Sequence, residues 1–187
     1  LVAFDPTSEI ANPKQFEGSE TIQVFQHALL GDGKPGTLFT CLDPKMSSTL
    51  VPFSEDQLPE HRRQGAQVLA KLPINTIALD SIEGLESLDW LVLDELSDAA
   101  TILEHGKQAL KNTLLIQVRV AFQPTHEKQT SLAELQYWAS RNGFRFYRFN
   151  DASYQSRFPK DSNVHDQLAS ELQSLDVLFL PTQERLS

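Results

Sequence analysis

The sequence predicts an α/β protein organised around a mostly parallel sheet, and three observations carry that expectation. Short apolar runs alternate with helix-length amphipathic segments along most of the chain. Two of the runs, WLVL at 90–93 and LLIQV at 114–118, flank one helix-length segment, which is the strand–helix–strand spacing of a parallel pair. The first of these runs ends in acid, Asp94 and Glu95, at the strand end where open α/β sheets receive ligands.

Taken in order, LVAF at 1–4 reads as an apolar strand. Residues 22–28 alternate at period two and are closed by Gly31-Asp32-Gly33, a turn signal, so that 36–41 reads as the returning strand of a hairpin. Residues 42–60 form a loop punctuated by Ser and Pro, with SSTL at 47–50. Pro73 forbids one continuous helix over 67–79, and 74–79 looks extended. A helix is expected over 97–111, with Ser97 as its N-cap and Ile102, Leu103 and Leu110 on one face. The clearest helix covers 131–142: Ser131 and Glu134 form a capping box, Leu132, Leu135, Trp138 and Ala139 make the buried stripe, and Gly143 ends it. An aromatic strand at 144–149, a helix at 164–175 and a strand at 176–180 complete the series.

Composition narrows the function classes. The chain has 187 residues, 40% of them hydrophobic, enough for one well-packed domain. A formal charge of -9 argues against a nucleic-acid surface, which needs clustered Lys and Arg; His61-Arg62-Arg63 is the densest basic spot. The lone Cys41 excludes an intrachain disulfide framework and reads as a buried, inert thiol of a reducing compartment. No apolar run reaches the roughly 18 residues of a spanning helix and no signal-peptide pattern opens the chain, so a cytoplasmic protein without a transmembrane segment is expected. The chain begins at Leu1, inside an apolar strand, and reads as a single domain over 1–187 that is a fragment of a longer polypeptide.

From VAFDP at 2–6 onward the sequence resembles the FkbM-type S-adenosylmethionine-dependent methyltransferases. ALDS at 78–81 followed by LDWLVLD at 88–94 is the sharpest match, to a "T-L-D-S" segment and an apolar strand ending in Asp. The resemblance implies a Rossmann-like class I methyltransferase sheet, mostly parallel with helices on both faces, its first strand apparently absent. It implies that Asp5 accepts hydrogen bonds from the two cofactor ribose hydroxyls, that Ala28 and Leu29 pass near the adenine, and that Ser47 and Ser48 orient the acceptor. It places Asp94 where methyl donor and acceptor hydroxyl meet, to orient the acceptor or draw off its proton. His126 stands near a Tyr of the family pattern and is a second candidate catalytic base, titrating near neutral pH. The cofactor would be S-adenosylmethionine and the acceptor a sugar, glycan or similar small-molecule hydroxyl; no metal is implied.

Departures from the pattern point the other way. Leu96 and Ser97 occupy the places of a Glu-Gly pair, and Arg119 replaces a Glu in the next strand, where it is expected to pair with Asp94 and fill the site. No Gly-rich cofactor turn is present: Gly18 stands alone, and Gly31 and Gly33 sit on the expected hairpin. The chain is therefore expected to bind S-adenosylmethionine poorly. Two functions remain open, an O-methyltransferase domain and a catalytically degenerate domain with a structural or interaction role. An unrelated doubly wound nucleotide-binding domain is a third, but it requires a phosphate-cradling Gly-rich loop.

Overall fold

The computed structural model describes residues 1–5, 22–26, 28–85, 88–156 and 170–186. Of these, 42% are strand and 21% helix, and the strands fall into three sheets. In the first, β1 (Val2–Phe4) runs parallel to β2 (Gln23–Phe25), with the rings of Phe4 and Phe25 stacked 5.2 Å apart. The second contains β3 (Ala28–Leu30), β4 (Pro35–Cys41) and, after the short helix α1 (Glu60–Arg63), the long strand β5 (Val68–Ile77). β5 lies in the middle, parallel to β3 and antiparallel to β4. The third follows from β6 (Trp90–Leu93), α2 (Ala99–Glu104), β7 (Leu115–Ala121), α3 (Leu132–Arg141), β8 (Phe144–Ser156) and β9 (Ser170–Pro181), with order β6-β7-β9-β8. A last turn of helix, α4 (Gln183–Leu186), ends the described chain.

This architecture overturns the expected mostly parallel, Rossmann-like sheet with helices on both faces. Among the described residues only β1–β2, β3–β5 and β6–β7 are parallel pairs; β4–β5, β7–β9 and β8–β9, which contain the longest strands, are antiparallel. The described helices are few and short, and parallel connections in quantity need crossover helices.

Three local departures explain the difference. The expected hairpin between 22–28 and 36–41 does not close, because β5 lies between β3 and β4. The Gly31–Gly33 turn instead steps over the end of β5, where Gly31 backs onto Thr76 so closely that a Cβ would sit 2.7 Å from the Thr76 Cβ. Thr76 Oγ1 accepts from the Gly33 amide at 3.1 Å and donates to the Lys34 carbonyl at 2.7 Å, so the turn is bonded to the strand it crosses.

The helix expected over 97–111 is cut to Ala99–Glu104, with Asp98 rather than Ser97 as its N-cap, accepting from the Thr101 amide at 3.2 Å. The chain then passes over Leu79 at Gly106, and Asp80 Oδ1 accepts from the Gln108 and Ala109 amides at 2.9 and 2.8 Å, fixing a turn. Tertiary bonds overrule helix propensity there. Of the helix expected at 164–175, residues 164–169 lie outside the described residues, as does Gly18, and 170–175 belong to β9. Ser174 and Leu175 pair with Ala121 and Val120 of β7, so the sheet claims the segment.

Other expectations hold. β6 and β7 pair in parallel as the flanking runs predict. α3 carries the Ser131–Glu134 capping box and gives way to Gly143 at φ +72°. β7 alternates cleanly, with Ile116, Val118 and Val120 buried against Leu103, Leu110, Leu135, Phe144 and Val177 in the main core. Cys41 is buried in a smaller cluster with Met46, Leu58 and Ala66; burial, and then the charge of Asp43, push its thiol pKa up, so it stays protonated. Among the described residues no helix is long and apolar enough to cross a membrane.

Candidate functional site

A cleft of about 710 Å3 opens between β1 and β6, within the range of small-molecule sites. Its walls are residues 1–4 on one side and 90–93 on the other, and its mouth gathers the residues that follow the two strands. Strand alternation explains the walls: Leu91 and Leu93 point into the core, while Trp90 and Val92 are each 55% exposed on the open face.

The mouth brings together residues far apart in sequence. Asp5 follows β1 directly and is 7% exposed; its amide donates to the Phe25 carbonyl at 2.9 Å, which continues the β1–β2 ladder by one residue and fixes the backbone of the carboxylate. Asp94 follows β6 and is exposed, with Oδ1 accepting from the Glu95 amide at 2.6 Å. Leu29 of β3 lines the cleft, whereas its neighbour Ala28 is buried behind it. Ser47 and Ser48 also line it, but both hydroxyls have structural work. Ser47 Oγ accepts from the Cys41 amide at 2.9 Å. Ser48 Oγ donates to the Leu96 carbonyl at 2.7 Å and accepts from the Leu50 amide at 3.0 Å. Ser48 thus ties the 44–49 loop to the turn after β6.

His126 is not in the cleft lining. It is 1% exposed, and both ring nitrogens are engaged: Nε2 lies 3.0 Å from the Met46 carbonyl and Nδ1 2.8 Å from Thr125 Oγ1. A carbonyl only accepts, so Nε2 carries the proton and Nδ1 accepts from the Thr125 hydroxyl. Burial pushes the pKa of this imidazole down, against the Met46 hydrogen bond, and holds it neutral. The ring locks the 44–49 loop to the strand-exit loops, a structural role in place of the expected base.

Arg119 does not pair with Asp94. Its Nη1 donates to Asp151 Oδ2 at 3.0 Å and Asp176 Oδ1 at 3.2 Å, and Nε stands 3.9 Å from Glu95. Burial works against the charge, but the bonds from Asp151 and Asp176 outweigh it and raise the guanidinium pKa. Gln117 Nε2 adds a 2.7 Å bond to Asp176. The side chain that the sequence sets against Asp94 is thereby held on the sheet face, and the cleft mouth stays open. Arg119→Met leaves the largely buried Asp176 carboxylate with Gln117 alone, and an unfolding free energy lower by about 1–3 kcal/mol is expected in urea titration.

Sequence reading missed Lys45, Asp89 and Asp98, which complete the charged lining with Asp5 and Asp94. Asp89 and Asp98 bracket β6 and its exit turn, and their position beside a strand end was the available signal. Among the described lining residues, four aspartates against one lysine give a field that favours cationic ligands. No glycine is among these residues, so they offer no close-approach backbone cradle of the phosphate-binding kind. Among the described residues, no group of three or more His, Cys, Asp or Glu is placed to hold a metal ion.

No protein-family model matches the chain, and no curated protein matches it in sequence.

Proposed function

We propose that the cleft between β1 and β6 binds S-adenosylmethionine and that the domain serves transfer of its methyl group to a hydroxyl of a sugar, glycan or similar small molecule. The observation that carries this reading is convergence: Asp5, Leu29, Ser47, Ser48 and Asp94, separated by up to 89 positions (94 − 5), line one cleft. The resemblance of 78–81 and 88–94 to the FkbM-type pattern supports the same assignment.

The lining suits such a ligand in three respects. The Asp5 carboxylate can accept from two vicinal hydroxyls at once. Leu29 and Leu30 offer an apolar surface to a purine. The surplus of aspartates favours a sulfonium cation. The cofactor supplies an activated methyl group; the chain supplies position and charge. Asp94, exposed at the mouth, accepts a hydrogen bond from the acceptor hydroxyl and takes its proton as the oxygen attacks. The two serines hold the 44–49 loop, which also lines the cleft. Among the described residues no glycine lines the cleft to cradle the amino-acid end, so affinity is expected to be modest.

Calorimetric titration with S-adenosylmethionine and its demethylated product tests the reading. Binding weakened about tenfold or more by Asp5→Ala, but by less than about threefold by Asp94→Ala, is expected, because Asp94 faces the acceptor and not the nucleoside. Equal affinity in the wild type and Asp5→Ala would contradict the assignment. No binding to a folded wild-type chain would favour the degenerate, non-catalytic domain.

A further inference from the structure

We infer that Lys45 binds the carboxylate at the amino-acid end of the cofactor: its ammonium is the one cation among the described residues that line the cleft. This rests on the cofactor reading above and deepens it by assigning a residue to the end of the ligand that Asp5 and Leu29 do not address.

The backbone of Lys45 is fixed from both sides. It lies in the helical turn Pro44–Met46, whose start is capped by Asp43, with Oδ1 accepting from the Lys45 amide at 3.1 Å. Pro44 before it has a restricted φ, and the Met46 carbonyl after it accepts from the buried His126 ring at 3.0 Å. Ser47 and Ser48, next along the loop, spend their hydroxyls on the Cys41 amide and the Leu96 carbonyl. A ligand that reaches this part of the lining therefore meets the Lys45 ammonium in place of the two serines.

Charge specifies the ligand group. Lys45 is exposed, and among the described residues its ammonium makes no ion pair, although Asp5, Asp89, Asp94 and Asp98 line the same cleft. Lys34, Lys107 and Arg119 are each paired with a carboxylate. The lining thus offers a ligand a single positive point in a field that is otherwise negative. S-adenosylmethionine carries the inverse pattern, a sulfonium and an ammonium with a single carboxylate. Cations toward the aspartates and the carboxylate toward Lys45 set each charge against its opposite. No glycine is among the described lining residues, so a side chain rather than bare backbone amides is what they present to the carboxylate. Lysine suits that task as a point charge on a flexible stem, which needs no bidentate geometry.

Calorimetry on the whole chain compares the demethylated product with methylthioadenosine, which keeps the adenine, ribose and sulfur but lacks the amino-acid end. Lys45→Met is expected to weaken the product about tenfold or more and to leave methylthioadenosine within about twofold. Lys45→Arg keeps the charge and should hold the product within about threefold. The side chain is exposed, so both variants should melt at the wild-type temperature. Equal product affinity in the wild type and Lys45→Met would overturn the inference and leave the cofactor reading standing. Equal weakening of both ligands would also overturn it, because the contact would then not be with the carboxylate. Failure of both ligands to bind the folded wild type would remove the cofactor reading, and this inference with it.

Discussion

His126→Ala lowers the unfolding free energy by about 2–4 kcal/mol and loosens the cleft wall with it. The substitution empties a site only 1% exposed and removes the donor to the Met46 carbonyl, 80 residues away in sequence, together with the acceptor for the Thr125 hydroxyl. A buried carbonyl and hydroxyl left unpaired add to the cost of the void. Because Met46 ends the turn that leads into Ser47 and Ser48, faster amide exchange over 44–49 is expected alongside the loss in stability. His126→Gln, which keeps an amide donor, should recover part of both.

The same residue sets an acid limit. Its pKa is depressed in the folded chain, so between that value and the ordinary imidazole value near 6.5 the unfolded state binds the extra proton. The stability it contributes is full above about pH 6.5 and declines as pH falls below that. Wild-type urea midpoints should fall from about pH 7.5 to pH 5.5 more steeply than those of His126→Gln.

Phe144→Ala is expected to cost about 3–5 kcal/mol, the largest loss from a single side chain at the α3–β8 junction. The ring is 2% exposed, stacks with Trp138 at 5.7 Å and lies under the Arg185 guanidinium at 4.3 Å. Arg185 also donates to the Asn142 carbonyl and, at 2.8 Å, to the Leu110 carbonyl, so α4 is fastened to the core through this ring. Truncation therefore removes apolar burial, a stacking pair and a cation–π contact together. Chemical denaturation measures the total, and amide exchange at 183–186 should rise before that of β7.

How much the sequence disclosed depends on whether a signal was local. The α3 capping box and the β6 and β7 runs are set by neighbours in sequence, and they form as read. The turn at Gly31–Gly33 was visible, but not that it crosses the end of β5, because that depends on Thr76. Asp80 lies in the ALDS motif, and its carboxylate is consumed by two backbone amides 28 and 29 residues away, a long-range partner that the motif does not encode. The largest error, the mostly parallel sheet, came from assigning a helix to residues that β9 takes into antiparallel pairing on both sides. Pairing partners are non-local, and periodicity does not encode them. Within the site, Asp5, Leu29, Ser47, Ser48 and Asp94 were legible as strand-end or loop residues and do meet. His126 and Arg119 were read by chemical type, and their partners assign them to structure.

The most direct test of the cleft as a ligand site is an amide chemical-shift titration of the uniformly labelled chain with the demethylated cofactor product up to a few mM, which registers weak binding as well as tight. The account predicts saturable shifts confined to Asp5, Leu29, Leu30, Lys45 and the 94–98 turn, with β8 and α3 unmoved. Shifts elsewhere, or none at saturating ligand on a dispersed spectrum, would contradict it.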